Sequence, residues 1–213
     1  MSGMILGIAG ASFAPSVPTV IGQAFGGGFY AGQIGVSGTA THYLIVGPVA
    51  SAQNTLAWKN ANTATSGADS VIDGPQNTAD MVADGSSTVY PAAHFCNDLV
   101  IGGFSDWYMP AKNELEVCYY NLKPSTTSNN TSSGINTNAV PSRGSNYTAG
   151  TPAQTSATDF QTGGAEAFAA ARYWSSTEAS ATNAWRQNFN DGLQSNNNKT
   201  SSYRVRAVRR LPV

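Results

Sequence analysis

Short aromatic and β-branched runs near the C terminus constrain the fold more than any other feature of the sequence. The runs cover residues 173–174, 185–189 and 203–208, and they are separated by Asp191-Gly192 and by the asparagines at 196–198. Runs of this length between glycine and asparagine are typical of short strands joined by turns. The end of the chain is therefore predicted to form several short antiparallel strands.

The same segment is rich in small neutral side chains. Asparagine, serine and glutamine adapt their hydrogen bonds easily, and beside tyrosine and tryptophan they have the composition of an evolved binding surface. Reaction chemistry requires other residue types. We predict that the ligand-binding residues are Asn188, Asn190, Gln194, Ser195, Asn196, Asn197, Ser201 and Tyr203.

The charges are few and unevenly spread. Only 11% of the residues are Asp, Glu, Lys or Arg, and the formal net charge is -1, which excludes a globally basic nucleic-acid binder. Acids dominate residues 59–123, whereas the chain from Arg186 onward is basic apart from Asp191. We expect the C-terminal arginines to alternate along a final strand and to pair with the acidic middle of the chain. Contact with phosphate is the alternative.

Residues 1–25 form an apolar arm, and no Asp, Glu, Lys or Arg precedes Lys59. Such a segment cannot bury its own surface, so we expect it to pack against a partner or a second copy of the chain. It lacks the basic region that begins a signal peptide. No stretch reaches the roughly 18 consecutive apolar residues of a membrane helix, so no membrane insertion is expected.

The middle of the chain predicts one hairpin and two short helices. The hairpin strands are residues 29–34 and 42–46, joined through residues 35–38. Apolar residues at helical spacing follow Pro91 and Pro110, and they include Cys96 and Cys118. Both cysteines are therefore expected to face the core, and two cysteines make no disulfide framework.

Residues 125–171 are a long insertion rich in Ser, Thr, Asn and Gly. A segment of this length inside a compact domain is a functional loop or an element poorly marked in the sequence. Tyr147, Phe160 and Phe168 are expected to fold it onto the domain. We assign residues 26–213 to one recognition domain that contains this insertion.

Catalytic and metal-binding patterns are missing from the sequence. His94 and Cys96 are two residues apart and point to different faces of a helix. The spacings of common zinc sites do not occur. Asn188, Asn190 and Asp191 offer oxygens to calcium, which we keep as the alternative to no cofactor. The carboxylates that a hydrolase would need show no pattern that selects a pair, the candidates being Asp159, Glu166, Glu178 and Asp191.

Four motifs occur in order and resemble the successive signatures of the DUF1566 family. They are GGFSDWYMPAKNEL at residues 102–115, YWSSTE at 173–178, FNDG at 189–192 and VRAVR at 205–209. This family is similar to the C-terminal domain of a Legionella collagen-like adhesin and is counted among C-type-lectin-like folds. The resemblance covers about residues 25–210. It leaves out the arm and much of the insertion.

The resemblance implies a compact α+β, C-type-lectin-like domain with two short helices, short antiparallel strands that include a paired first and last strand, and a loop-rich recognition face. Phage relatives with a similar glycine-rich start look like tail or receptor-binding components. Some proteins of this fold are variable proteins of diversity-generating retroelements, in which mutagenesis at adenines enriches asparagine. The six asparagines between Asn183 and Asn198 match that bias. The formylglycine-generating enzymes share the broad fold and use late cysteines, but this chain has none after Cys118.

These observations predict a non-enzymatic receptor-binding component of a phage tail, located in the virion. A bacterial cell-surface or secreted protein is the alternative location. The partners are a glycan or protein receptor on a bacterium, other tail proteins through the arm, and further copies of the chain, with a trimer favoured by analogy with tail fibres. A structural virion protein is the alternative function. Residues assigned to the scaffold are Asp106, Trp107, Glu114, Trp174, Arg206 and Arg209.

Overall fold

A computed structural model describes residues 17–213. The apolar arm therefore lies largely outside the described residues. The helices in this part are α1 (Val49–Ala52), α2 (Gly74–Asp84), α3 (Pro91–Asn97) and α4 (Lys112–Leu122). The strands are β1 (Ala24–Phe25), β2 (Gly28–Val36), β3 (Thr39–Val46), β4 (Gln53–Ala57), β5 (Arg172–Glu178), β6 (Asn183–Asn188), β7 (Gln194–Asn198), β8 (Ser202–Arg206) and β9 (Val208–Pro212). The prediction of an α+β chain is confirmed.

The first sheet has the strand order β1-β2-β3-β9 and contains the predicted hairpin. Ser37 and Gly38 make its turn with positive φ angles of 51° and 82°, a conformation in which glycine is unstrained. The last strand pairs with β3, the second strand of the hairpin. The expectation that the first and last strands pair is wrong for this chain, because β1 and β3 occupy the two sides of β2.

The second sheet has the order β4-β8-β5-β6-β7, and we call it the C-terminal sheet. Its members are antiparallel neighbours except β5 and β8, which run parallel through a single registered pair. A register shift between Trp174 and Glu178 marks an irregular stretch of β5. The three predicted C-terminal runs lie in β5, β6 and β8, while the polar strand β7 forms the edge.

The prediction of two helices is wrong in number, although α3 and α4 lie where the proline and apolar spacing placed them. The sequence did not reveal α1, which has only four residues, or α2, which has few apolar residues. The buried face of α2 includes Asn77 and Thr78. Asn77 holds Ser70 through both its amide oxygen and its amide nitrogen, and Thr78 donates to the carbonyl oxygen of Gly74. Hydrogen bonding thus replaces the apolar stripe that sequence patterns detect.

The insertion at residues 125–171 is held on α4 by a buried carboxylate. Glu116 accepts hydrogen bonds from Asn136, from Arg143 and from the hydroxyl of Tyr147, the last at 2.7 Å. Burial raises the pKa of Glu116, and the Arg143 guanidinium opposes that rise. As expected, Tyr147, Phe160 and Phe168 are buried in the core. The insertion is therefore a fixed part of the domain, although it has little regular secondary structure.

Two apolar clusters form the core. One gathers α4, the hairpin and the insertion aromatics, and it includes Cys118. The other gathers α2, α3 and one side of the C-terminal sheet, and it includes Cys96. Both cysteines are buried free thiols, as predicted.

Candidate functional site

Asp106, Trp107 and Arg209, which the sequence analysis assigns to the scaffold, lie together in the structure. Arg209 donates from Nε and Nη2 to the two carboxylate oxygens of Asp106, at 2.7 and 2.9 Å. Its Nη1 donates to the carbonyl oxygen of Gly26, and the guanidinium lies 3.8 Å from the centre of the Phe104 ring. Trp107 is buried and donates to the carbonyl oxygen of Phe104. These contacts fix the loop before α4 to the last strand.

Glu114 is fully buried at the start of α4. Its carboxylate accepts the backbone amide of Ala111 and the hydroxyl of Tyr108, both at 2.8 Å. Arg210 approaches the same carboxylate at 3.7 Å. Burial raises the pKa of Glu114 to about 7, although these hydrogen bonds and Arg210 lower it. The residue closes the first turn of the helix as part of the scaffold.

Arg206 is buried and pairs with the insertion, not with the acidic middle of the chain. Its Nη2 donates to the carboxylate of Glu166 at 2.6 Å, and its Nη1 donates to the backbone carbonyl of the same residue. Burial lowers the pKa of Arg206 to about 10, and Glu166 opposes that change. The expected pairing with the acidic middle holds for Arg209 with Asp106 and for Arg210 with Asp73. It fails for Arg206 because the insertion carboxylate lies nearer.

Trp174, which the sequence analysis assigns to the scaffold, is fully buried in the second core cluster. Its ring lies 4.7 Å from the ring of Tyr203, so one side of the predicted binding tyrosine is supported by the core. The Nε1 atom of Trp174 is buried and has no hydrogen-bond partner among the described residues.

The predicted ligand-binding residues do not share one face of the C-terminal sheet. Residues directly opposite each other in an antiparallel pair lie on the same face, and successive residues alternate. The register therefore places Asn188, Ser195 and Asn197 on the same side as Arg172 and Arg186, and Gln194 and Asn196 on the side of Trp185. Tyr203 contacts Trp174 on the first of these sides. Asn190 lies in the turn after β6 and Ser201 in the turn before β8.

We call the first side the arginine face and define it by Arg172, Arg186, Asn188, Ser195, Asn197 and Tyr203. Arg172 donates from Nη1 to the Tyr203 hydroxyl at 2.9 Å. Arg186 donates from Nε to the Asn197 amide oxygen, also at 2.9 Å. Within residues 17–213 neither arginine is paired with a carboxylate within 4.0 Å, and burial with nearby Arg172 lowers the pKa of Arg186.

A shallow groove of about 420 Å³ adjoins the arginine face, and Arg172, Tyr203 and Arg204 line it. The sequence analysis missed Arg186 as a site residue because it assigned the arginines from Arg186 onward to ion pairs, and it gave Arg172 no role. The alternation of Arg186 with Trp185 in β6 is the signal that could have placed it on the face of Asn197. Unpaired cations beside a supported tyrosine can bind an acidic group with charge-assisted hydrogen bonds.

Unsatisfied polar atoms concentrate in the C-terminal sheet. Six side-chain polar atoms of the described residues are buried without a hydrogen-bond partner, and five of them belong to β5, β6 and β7. Such atoms are rare in folded proteins, and each requires a physical explanation. The five residues are Trp174, Asn183, Arg186, Gln187 and Gln194.

The oxygens considered for calcium brace the turn between β6 and β7. Asn188 accepts the amide of Asn190, and Asp191 accepts the amide of Leu193. Residues 17–213 contain no group of three or more His, Cys, Asp or Glu side chains placed to hold a metal. Of the hydrolase candidates, Glu166 is engaged by Arg206 and Glu178 by Lys199. Over the same residues, no helix has the length and apolar character needed to cross a bilayer.

These features define an α+β domain that presents unsatisfied polar and cationic groups on a C-terminal sheet. The chain belongs to the Lcl C-terminal domain family, whose model matches residues 47–209. This match confirms the resemblance drawn from the four motifs. No curated protein matches the chain.

Among solved structures, the chain is similar to a fimbrial protein from Bacteroides ovatus ATCC 8483, with 14% sequence identity and a TM-score of 0.46. The similarity covers 85% of this chain and 43% of that protein. The chain thus spans less than half the length of that relative.

Proposed function

We propose that this chain is a non-enzymatic recognition domain that binds a ligand on a bacterial surface through its arginine face. The observation that carries the proposal is the pair of buried donors without a partner on this side of the sheet, Trp174 Nε1 and Arg186 Nη1. A buried donor without a partner costs about 1–3 kcal/mol of free energy, and a ligand that supplies the partner recovers part of that cost. Because such atoms cluster on one sheet, ligand binding explains them better than scattered packing defects.

The ligand that suits this face carries an acidic group beside an apolar surface. Arg172 and Arg186 lack carboxylate partners in the described chain, and Tyr203 is supported from below by Trp174. An aromatic anchor with arginine neighbours is typical of the residues that dominate interface energies. Asn188, Ser195 and Asn197 add neutral donors and acceptors around these anchors.

Family membership supports an adhesion-type role, because the family takes its name from the C-terminal domain of a Legionella collagen-like protein. Within that role we propose a C-type-lectin-like fold and a place in a phage tail as a homo-oligomeric, receptor-binding component. The asparagine bias of residues 183–198 supports diversification of the site by a retroelement. A reverse-transcriptase gene beside a near-copy of the segment encoding residues 173–210 is the genomic observation expected.

The test removes the arginine face without opening the core. A variant with Arg172, Arg186 and Tyr203 replaced by Gln, Gln and Phe keeps the side-chain volumes close to those of the native residues. We expect adsorption of the purified protein to host cells to fall at least tenfold, because the charged and hydroxyl donors are gone. Adsorption of the unchanged protein should also weaken as the salt concentration rises.

The matched control replaces exposed polar residues outside the C-terminal sheet, namely Ser87, Thr88 and Asn97, by Ala. It should adsorb as the unchanged protein does. Undiminished adsorption by a folded arginine-face variant would place the receptor site elsewhere on the molecule. If the assembled particle covers this face with another subunit, the role is structural.

A further inference from the structure

A second pocket lies on the opposite side of β6 and β7, where the sheet edge meets the insertion. It has a volume of about 260 Å³, and its lining includes Lys112, Ser133, Ile135, Asn146, Trp185 and Gln194. We call it the tryptophan pocket. Clefts that hold drug-sized ligands measure about 300–1,000 Å³. This pocket is slightly smaller, so it can hold one small ring.

Trp185 differs from the other tryptophans of the chain. Trp58, Trp107 and Trp174 are buried in the core, whereas Trp185 is half-buried and belongs to neither core cluster. The ammonium group of Lys112 lies 4.1 Å from the centre of its ring, and Lys112 has no carboxylate within 4.0 Å in residues 17–213. Trp185 is thus a half-buried aromatic ring at the pocket, with the Lys112 ammonium group over it.

Side-chain amides with unmet hydrogen bonds lie on the same side of the sheet as this tryptophan, and that of Gln194 lines the pocket. The Nε2 atom of Gln194 is buried without a partner in the described chain, although it belongs to a residue that lines the pocket. Gln187 pairs with Gln194 in the register, is 1% exposed, and has an unpartnered Oε1. Asn183, on the same side, has an unpartnered Oδ1. The pocket therefore combines an apolar ring with amide donors and acceptors.

We propose that the tryptophan pocket binds one pyranose ring of a surface polysaccharide. A pyranose has an apolar face of C–H groups and a rim of hydroxyls that both donate and accept hydrogen bonds. Trp185 contacts the apolar face, while Gln194 and Asn146 bind the hydroxyls. Lys112 moves off the ring and donates to a sugar oxygen. The pocket is a second contact region of the recognition domain. This proposal rests on the proposed function only for the class of partner, a ligand on a bacterial surface.

Both walls of the pocket are fixed by contacts within the domain. On one side, Gln194 donates its backbone amide to Ser133 Oγ at 3.0 Å, which joins β7 to the insertion. On the other, Lys112 begins α4 and donates its backbone amide to Thr177 Oγ1 at 2.9 Å. The backbone of both walls is therefore held in place, and the Lys112 side chain is the part that must move for a ring to stack on Trp185.

The experiment titrates the full chain with methyl glycosides of glucose, galactose, mannose, rhamnose, N-acetylglucosamine and N-acetylgalactosamine. The indole N–H signal of Trp185 is identified from the spectrum of Trp185→Phe. We expect at least one glycoside to shift that signal with an affinity of about 1 mM. Trp185→Ala and Gln194→Ala should each weaken binding at least tenfold, and Trp185→Phe should retain part of it because it keeps an aromatic ring.

The variant with Ser87, Thr88 and Asn97 replaced by Ala is the control and should bind the glycosides as the unchanged protein does. The proposal is overturned if no glycoside of the panel shifts the Trp185 signal, or if Trp185→Ala binds with unchanged affinity while remaining folded. The glycoside titration reports on the tryptophan pocket, whereas host-cell adsorption of the arginine-face variant reports on the proposed function. The proposal for the tryptophan pocket and the proposed function can therefore be refuted independently.

Discussion

At the scale of single residues, burial separates ion pairs that look alike in the sequence. The side chain of Arg206 is 0% exposed beside a Glu166 that is 15% exposed, whereas the Asp106 side chain that pairs with Arg209 is 52% exposed. Removing one partner of a buried pair leaves an uncompensated charge, but water solvates an exposed partner. The two pairs should therefore contribute unequally to stability.

The first prediction compares Arg206→Ala with Asp106→Ala. Arg206→Ala should lower the free energy of unfolding by about 3–5 kcal/mol, because Glu166 and the carbonyl of Gly47 lose their donors. Asp106→Ala leaves the buried Arg209 without its carboxylate, but it should cost less, about 2 kcal/mol, since Arg209 keeps its bond to Gly26 and its contact with Phe104. Chemical denaturation measures both. Equal losses would contradict the difference in burial.

The second prediction concerns pH. The pKa of Glu114 is raised by burial from 4.5 to about 7 in the folded chain. Between these two pH values the folded state therefore binds more protons than the unfolded state. The stabilisation that this protonation gives is complete below pH 4.5 and is lost as the pH rises through 7. Tyr108, Arg210 and Asp73 are the neighbouring groups that influence this pKa.

Glu114→Gln should remove this pH-dependent contribution to the free energy of unfolding. The stability of the native chain relative to the variant should fall by roughly 2–3 kcal/mol between pH 5 and pH 8. Denaturation midpoints at several pH values measure this difference. A difference that does not change with pH would show that Glu114 is ionised throughout.

At the scale of elements, the sequence predicted those parts whose apolar residues follow a period. The hairpin, α3 and α4 have β-branched or apolar residues at the spacing of their own structure. By contrast, α2 and β7 pack through amides and hydroxyls, so no hydrophobic period marks them. The site was predicted in the correct strands, but the division of its residues between two faces depends on a register that the sequence does not reveal.

The third prediction tests the polar packing of α2. Asn77 is fully buried and makes three side-chain hydrogen bonds, to the backbone nitrogen and oxygen of Ser70 and to Ser176 Oγ. Asn77→Ala should lower the free energy of unfolding by about 2–3 kcal/mol, because backbone groups of Ser70 lose their partners. The neighbouring exposed Gln76→Ala should stay within about 0.5 kcal/mol. Similar losses of unfolding free energy in the two variants would mean that the buried hydrogen bonds of Asn77 do not stabilise the fold.

The fourth prediction concerns the attachment of the insertion. Glu116→Ala removes the acceptor shared by Asn136, Arg143 and Tyr147, so local opening of residues 125–171 should become easier than global unfolding. Limited proteolysis should then cut within this segment before the rest of the domain. Tyr147→Phe removes one of the three donors and should show a smaller effect. Cleavage unchanged in Glu116→Ala would mean that the aromatic contacts alone hold the insertion.

At the scale of the whole molecule, most of the positively charged side chains form ion pairs within the domain. Six of the eleven lysines and arginines, namely Lys59, Arg143, Lys199, Arg206, Arg209 and Arg210, pair with carboxylates within the domain. The few charges that remain, together with an apolar arm, are consistent with the proposed assembly. The charge-free start of the chain supports a packing role for residues 1–16.

The last prediction separates that arm from the domain. Pro18 is buried, Ile21 packs against the core, and Ala24 pairs with Phe29, so a truncation should end at residue 16 to leave these contacts intact. The truncated chain should keep its melting temperature but lose oligomerisation or docking, because it no longer presents apolar surface for a partner to cover. Sedimentation velocity measures the oligomeric state. A chain with residues 1–16 replaced by a Gly/Ser segment of equal length controls for length, and it should behave as the truncated chain does. Assembly that persists in both would assign the contacts between subunits to the domain itself.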